Sequence, residues 1–196
     1  LVYASDWTND NNFGLLHLLN SSTLLSIIIG VLLLDLVGAY LPHLVQHKVK
    51  LLWYIHIVHH TDQNVDTTTA NRHHPFESIV RFIFTLTGII ISGAPIGLVL
   101  MYQSLSVIFS QFNHANIQIS DKVDKVLSYI IVSPNMHKVH HHFKLPYTDS
   151  NYGNIFSLWD RLFGTYMELN KNQIIYGVDT DLDEIQNSKF MSLIER

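Results

Sequence analysis

The chain of 196 residues contains no cysteine, and that absence excludes disulfides, iron–sulfur clusters, thiolate-held haem and zinc sites of the cysteine type. Any metal has to be held by nitrogen and oxygen. Charge is also scarce: 14% of residues are charged against 47% hydrophobic, where soluble domains carry about a quarter charged. With a positive mean hydropathy, this balance points to a membrane protein. The net charge of −4 and the lack of any Lys/Arg run leave no electrostatic footprint for a nucleic acid. The segment that opens at Leu1 is polar and has no basic stretch, so no signal peptide is expected there.

Histidine is what the chain has in excess. Ten of its thirteen histidines fall into a repeated pattern: His43-x-x-x-His47, His56-x-x-His59-His60, His74 in an Arg-x-His-Pro-x-Glu run, His114, and His137-x-x-His140-His141. Residues three and four apart share a helix face, so each triplet can aim two or three imidazoles at one point, as can His43 with His47. The chance expectation of one such triplet is about 0.06 in a chain of this length, so two of them mark a metal site. His74 and His114 stand singly, and spacing does not decide them. His17, alone among leucines, reads as a core histidine, and His73 and His142 as neighbours of motif histidines.

Residues 23–41 are apolar except for Asp35, with Pro42 after them, which is the length that crosses hydrocarbon. A second apolar region, residues 79–112, is interrupted by Ser92-Gly93-Ala94-Pro95-Ile96-Gly97. As one helix it would be about 50 Å long, too long for a single crossing; broken there, it becomes a hairpin with arms of roughly fifteen residues. A hairpin returns the chain to its starting face, as it must if His74 and His114 serve one site. The expected layout is one all-α membrane domain over 1–196: a polar segment 1–22, a membrane helix 23–41, a membrane hairpin 79–112 and a cytosolic helical cap 113–196. Within the cap, the apolar stretch 126–132 fits a helix packed on the site or lying at the interface. Lys and Arg are missing from residues 1–22 but present beside the histidines, which places the histidine face in the cytoplasm, a bacterial inner membrane being favoured over endoplasmic reticulum.

One metal ion takes four to six ligands, so this many imidazoles imply two ions. Carboxylates then serve as acceptors for the second ring N–H; the candidates are Asp35, Asp62, Asp66, Glu77, Asp149 and Asp160. Asp35 weighs most, because an ionisable group in a span is costly without a partner. Imidazole suits iron, zinc and copper alike. A site at the depth of lipid tails points to chemistry on an apolar substrate, and attack on an unactivated C–H bond calls for O2 and a redox metal, iron by preference, with zinc as a substitute limited to hydrolysis or polarisation.

At this point the chain resembles the fatty acid hydroxylase and sterol desaturase superfamily of membrane di-iron oxygenases, in its bacterial sterol-desaturase-like branch. The resemblance rests on Leu52-Trp53 through Asp62, Asp66-x-Thr68-Thr69, Arg72-x-His74-Pro75-x-Glu77, Phe112-Asn113-His114-Ala115-Asn116, Ser133-Pro134 through His141, Asp149 through Gly153 and Trp159 through Thr165. It implies two irons held by His43, His47, His56, His59, His60, His74, His114, His137, His140 and His141, and O2-dependent hydroxylation or desaturation of a fatty acyl, sterol or related lipid. It also implies that Asn151 and Tyr152 hold the last triplet and that Trp159, Asp160 and Gly164 close the cap. Leu44 stands where members commonly carry Arg, and members have more membrane helix ahead of the first ligand, so an N-terminal truncation is expected. With no cysteine and no flavin or haem motif, electrons must come from an external carrier such as a cytochrome b5-like protein or a ferredoxin. Two readings of other classes compete: a histidine-cluster metal transporter or sensor of the membrane, and a soluble helical zinc hydrolase.

Overall fold

The computed structural model describes residues 1–19 and 21–179, and among these the chain is helical, with two isolated β-bridges and no strand. Ten α-helices follow one another: α1 (Val2–Asp10), α2 (Leu15–Leu18), α3 (Thr23–Asp35), α4 (Leu41–Lys48), α5 (Lys50–His60), α6 (Pro75–Ser92), α7 (Ile96–His114), α8 (Asp121–Leu127), α9 (Pro134–His140) and α10 (Leu158–Leu162). Three continuous helical runs are long and apolar enough to cross a membrane: Thr23–Lys48, Pro75–Ser92 and Ile96–His114.

The first of these does not stop at Leu41. Ser22 caps its start, its hydroxyl accepting from Leu25 N, and α3 runs through a π-helical turn, Leu36–Tyr40, directly into α4. A proline inside a regular helix lacks an N–H and collides with the carbonyl four residues back. The wider π turn just ahead of Pro42 absorbs that misfit, as such turns do. The helix therefore carries His43 and His47 out of the apolar zone without a break.

The hairpin forms where the Gly/Pro cluster predicts it, with longer arms of 18 and 19 residues, about 27 and 29 Å. His74 caps α6, with Pro75 at its first position and Glu77 in its first turn, so the helix begins before the apolar run does. Gly93 ends it in the left-handed region at φ 68°. A Cβ there would sit 2.4 Å from the carbonyl oxygen of Phe13, because the N-terminal segment closes over the bend: Ser5 Oγ donates to Ala94 O at 2.8 Å. Composition had offered no helix in residues 1–22, yet α1 and α2 cap this end of the bundle. Val31, Leu34, Ile89, Leu98, Val99 and Tyr102 fill the core between the three long helices.

On the opposite end lie α4, α5, α8, α9 and α10. The stretch 126–132 is not a helix of its own; α8, capped by Ser120, ends at Leu127, and Ile131 bridges to Phe156. Two polar knots tie this cap to the membrane helices. Asp35, fully buried in α3, accepts from Ile155 N, Phe156 N and Trp159 Nε1. Asp160 accepts from Tyr152 N, Gly153 N and the Thr165 hydroxyl; burial pushes its carboxyl up to about 6 against those donors.

Candidate metal centre

Nine histidines converge at the end of the three long helices. Ligand atoms of His43, His47, His56, His60 and His140 form one group and those of His59, His114, His137 and His141 a second, all within 4.8 Å of one another in each group. Each triplet is therefore divided rather than aimed at one point. Helix geometry gives the reason: residues four apart differ by only about 40° around the axis, but adjacent ones by about 100°. His56 and His60 thus share the first group while His59 turns to the second; on α9, His137 and His141 share the second while His140 turns to the first. The rings of His59 and His60 stand at 90° to each other.

The hydrogen bonds behind the rings decide what the convergent nitrogens can be. Nδ1 of His43 faces Tyr152 O at 2.8 Å, that of His140 faces Ser150 O at 2.6 Å, and that of His47 faces Asp149 Oδ1 at 3.3 Å. In the second group His59 Nδ1 faces Thr69 O at 3.0 Å and His114 Nδ1 faces Ser110 O at 2.7 Å. Those oxygens can only accept, so each ring carries its proton on Nδ1 and turns a bare Nε2 lone pair inward. His114 Nε2 lies 3.1 Å from Nε2 of His59, of His137 and of His141. Two lone pairs at that distance repel; a cation between them removes the conflict. Imidazole–metal bonds of about 2.1 Å set neighbouring ligand nitrogens about 3.0–3.4 Å apart, which the spacing meets. In the first group Nε2 of His43, His56 and His140 are buried with no partner, as ligand atoms are before an ion is counted. The residues present fit two metal ions.

Burial holds His59, His60, His137, His140 and His141 well below the ordinary imidazole value, so they are kept in the neutral, metal-binding form. A pH dependence follows. Below about pH 6.5 the unfolded chain takes up protons that these folded imidazoles refuse, so stability without metal is complete above that pH and falls on acidification. The expected slope reaches about 1.4 kcal/mol per pH unit for each such histidine. Denaturant titration of the metal-free protein across that range checks it, and a flat profile would show that the cluster is not buried and neutral.

His74 does not join either group. A residue before proline is forced into extended backbone, and at ψ 139° His74 turns its Nδ1 to cap Phe76 N. The neighbouring His73 faces inward instead, its ring stacked 5.0 Å from that of His59. Glu77, 2% exposed, sits between His73 Nδ1 at 3.1 Å and His56 Nδ1 at 3.3 Å. Glu77→Gln is expected to weaken metal binding by about 10- to 100-fold, the usual effect of losing an acceptor behind a ligand. A chelator competition at unchanged helicity measures this, and wild-type affinity would remove Glu77 from the site.

Of the other carboxylates, Asp149 also meets one of the nine rings directly. Asp149 reaches His47 and Lys48; although burial pushes its carboxyl up, those partners prevail and hold it at about 2. Asp62 accepts from the Thr69 hydroxyl at 2.6 Å and so steadies the loop whose carbonyl holds His59. Asp66 caps Thr68 in the same loop. Asp35, weighted most from the sequence, touches none of the histidines; its acceptor capacity is spent on the cap. Asn151, in the left-handed region at φ 51°, ties α9 to the chain beyond α10 by donating to Met136 O and Met167 O. The carbonyls of Thr69, Ser110, Ser150 and Tyr152 orient four of these rings, and nothing in a sequence marks a backbone oxygen.

Residues 27–165 match the fatty acid hydroxylase family. The chain belongs to the fatty acid hydroxylase family. Among its relatives, an ornithine lipid hydroxylase from Rhizobium tropici is 24% identical over 140 residues, covering 71% of this chain and 41% of its own length. An alkylglycerol monooxygenase from Danio rerio is 32% identical over 146 residues, 72% of this chain and 30% of the relative, and the Homo sapiens enzyme of that name is 25% identical over 157 residues, 78% and 33%. The chain thus spans less than half the length of these relatives. No solved structure matches it.

A cavity of about 60 Å³ lies against both histidine groups, lined by His43, His56, His59, His114 and His137 together with Ala39, Gln46, Glu77 and Arg81. It has room for about two waters. Gln46, which lines this space, has its Nε2 buried without a partner.

Proposed function

We propose that this chain is an integral membrane lipid hydroxylase using two irons, one in each histidine group, with the histidine side facing the cytoplasm. The observation that carries the reading is the meeting of nine inward Nε2 atoms at the end of three apolar helices, in a family whose relatives include a lipid hydroxylase and alkylglycerol monooxygenases. Two irons, when bound, would supply the redox chemistry that places one oxygen atom of O2 in an unactivated C–H bond, the other leaving as water with two electrons from an external donor and two protons from solvent.

The chain's own residues do the rest. The five Nδ1 contacts to carbonyl and carboxylate oxygens fix tautomer and ring angle, so the ligand cage is formed in advance. Gln46 offers a hydrogen bond to an oxygen atom beside the reacting carbon, and the acyl body of the lipid lies along the exposed faces of α6 and α7. An ornithine lipid or an alkylglycerol, the substrates the relatives' names carry, suits a site at the end of the spanning helices; desaturation and sterol chemistry are outcomes that product analysis separates.

Electrons are proposed to enter from the water side. There a cavity of about 260 Å³ is lined by His47, Trp53 and Asp149 among others, and the Trp53 ring lies 4.8 Å from that of His47 and 5.3 Å from that of His60. Trp53→Leu is expected to slow reduction of the metal by a small protein donor while leaving metal content unchanged, as stopped-flow absorbance would record; an unchanged rate would move the entry point elsewhere.

The function is tested by comparing lipid extracts from cells making this chain and cells making His140→Ala, under labelled O2, by high-resolution mass spectrometry. A lipid that gains one labelled oxygen only with the intact chain is the expected result. Identical extracts from an iron-loaded chain supplied with a donor would overturn it, and metal flux into vesicles without a lipid product would favour the transporter reading.

A further inference from the structure

The segment after the last histidine triplet sits lower than a cytosolic cap should. Asp35, which accepts from Ile155 N, Phe156 N and Trp159 Nε1, lies eight residues before His43 on the first long helix. Ser106, whose hydroxyl accepts from Asn154 Nδ2 at 2.8 Å, lies eight residues before His114 on α7. Two separate helices therefore give the same depth for this loop, about 12 Å below the ligands on the membrane side. At that level the surface of α7 is bare hydrocarbon, with Val107 and Ile108 each 60% exposed. Ile155 is part of the core between the spans, packed with Val99 and Tyr102.

Irregular backbone at such a depth is tolerated only where its polar groups are satisfied within the protein. Four of those groups are: the amides of Ile155 and Phe156 donate to Asp35, Ile155 O accepts from Val132 N, and Ser157 N donates to Ile130 O. The side chains that this segment and its neighbour turn outward are apolar. Ile130, Leu158 and Leu162 are 69%, 46% and 65% exposed. Of the charges on α10, Asp160 is buried, and the Arg161 guanidinium is laid over Tyr129 and Tyr166 at 5.0 and 3.9 Å while donating to Ser128 O.

We propose that Ile155–Phe163, with the turn at Ile130, is a re-entrant element immersed in the acyl chains of the histidine-side leaflet. The cap is thus partly a membrane insert. Its occupant is lipid, because the loop is level with the exposed apolar side chains Val107 and Ile108 of α7 and the side chains it exposes itself are apolar. Immersed here, Leu158 and Leu162 add a third lipid-facing wall beside α3 and α7, close to the metal centre.

The absence of native cysteine makes the test direct. Single cysteines placed by Ile130→Cys, Leu158→Cys and Leu162→Cys, each spin-labelled in phosphatidylcholine nanodiscs, are compared with Ile83→Cys on the lipid face of α6 and with Thr67→Cys and Lys144→Cys on exposed loops. Helical circular dichroism reports folding of each variant, and three independent sites guard against one that fails. The expected result is that labels at 130, 158 and 162 collide with O2 more readily than with a water-soluble nickel chelate, as at 83, with the order reversed at 67 and 144. Behaviour like the loop sites would place the patch in water, and protection from both reagents would place a second copy of the chain over it; either overturns the proposal. No step depends on catalysis, so the result stands apart from the proposed function.

Discussion

His114→Ala is expected to empty the second histidine group while leaving the first filled, and to abolish lipid oxidation. His114 Nε2 is the common neighbour of the other three ligand nitrogens in that group, 3.1 Å from each, and no further histidine stands in reserve: His73 stacks on His59 from behind and is engaged with Glu77. Loss of a ligand exceeds the 10- to 100-fold cost of losing a group behind one, so product is expected to fall to about 1% or less. Metal analysis should give about half the wild-type content. Full loss of metal would mean that the two groups fill together, and full retention would show that His114 is not a ligand.

Asp35→Ala is expected to have the largest effect on stability of any single change outside the metal ligands. It strips the acceptor from the Trp159 indole and from two backbone amides inside the protein. Each of the three orphaned donors costs about 1–3 kcal/mol, giving about 3–9 kcal/mol in all, enough to release the cap from the spanning helices. Asp35→Asn, which keeps one acceptor oxygen, should fall between. Thermal unfolding in nanodiscs orders the three proteins, and equal stability for Asp35→Ala and wild type would show that these bonds do not hold the cap.

The helices and the metal centre were legible because both are periodic. Apolar runs of spanning length, a Gly/Pro interruption and histidines three and four apart are local patterns, and local patterns survive in a sequence. What was hidden has a different origin. The division of each triplet between two groups depends on which neighbour lies across from each helix face, and that is tertiary. That His74 stays outside both groups follows from one rule, the extended backbone before proline, which the run Arg72-His73-His74-Pro75 obscures by presenting two adjacent histidines. Asp35 was rightly singled out as a buried charge in need of partners, but its partners lie about 120 residues away and are indole and amide donors. The packing of α1 over the hairpin bend rests on Gly14 and Gly93, whose close backbone approach looks like ordinary turn chemistry from sequence alone.

The central claim is that nine histidines make two nitrogen-only metal sites. The most direct test is the iron content and Mössbauer spectrum of the chain purified anaerobically in detergent after growth on enriched iron. The account predicts two irons per chain in six- or five-coordinate nitrogen and oxygen surroundings, falling to about one in His114→Ala. One iron per wild-type chain, or none with stable folding at neutral pH, would contradict it.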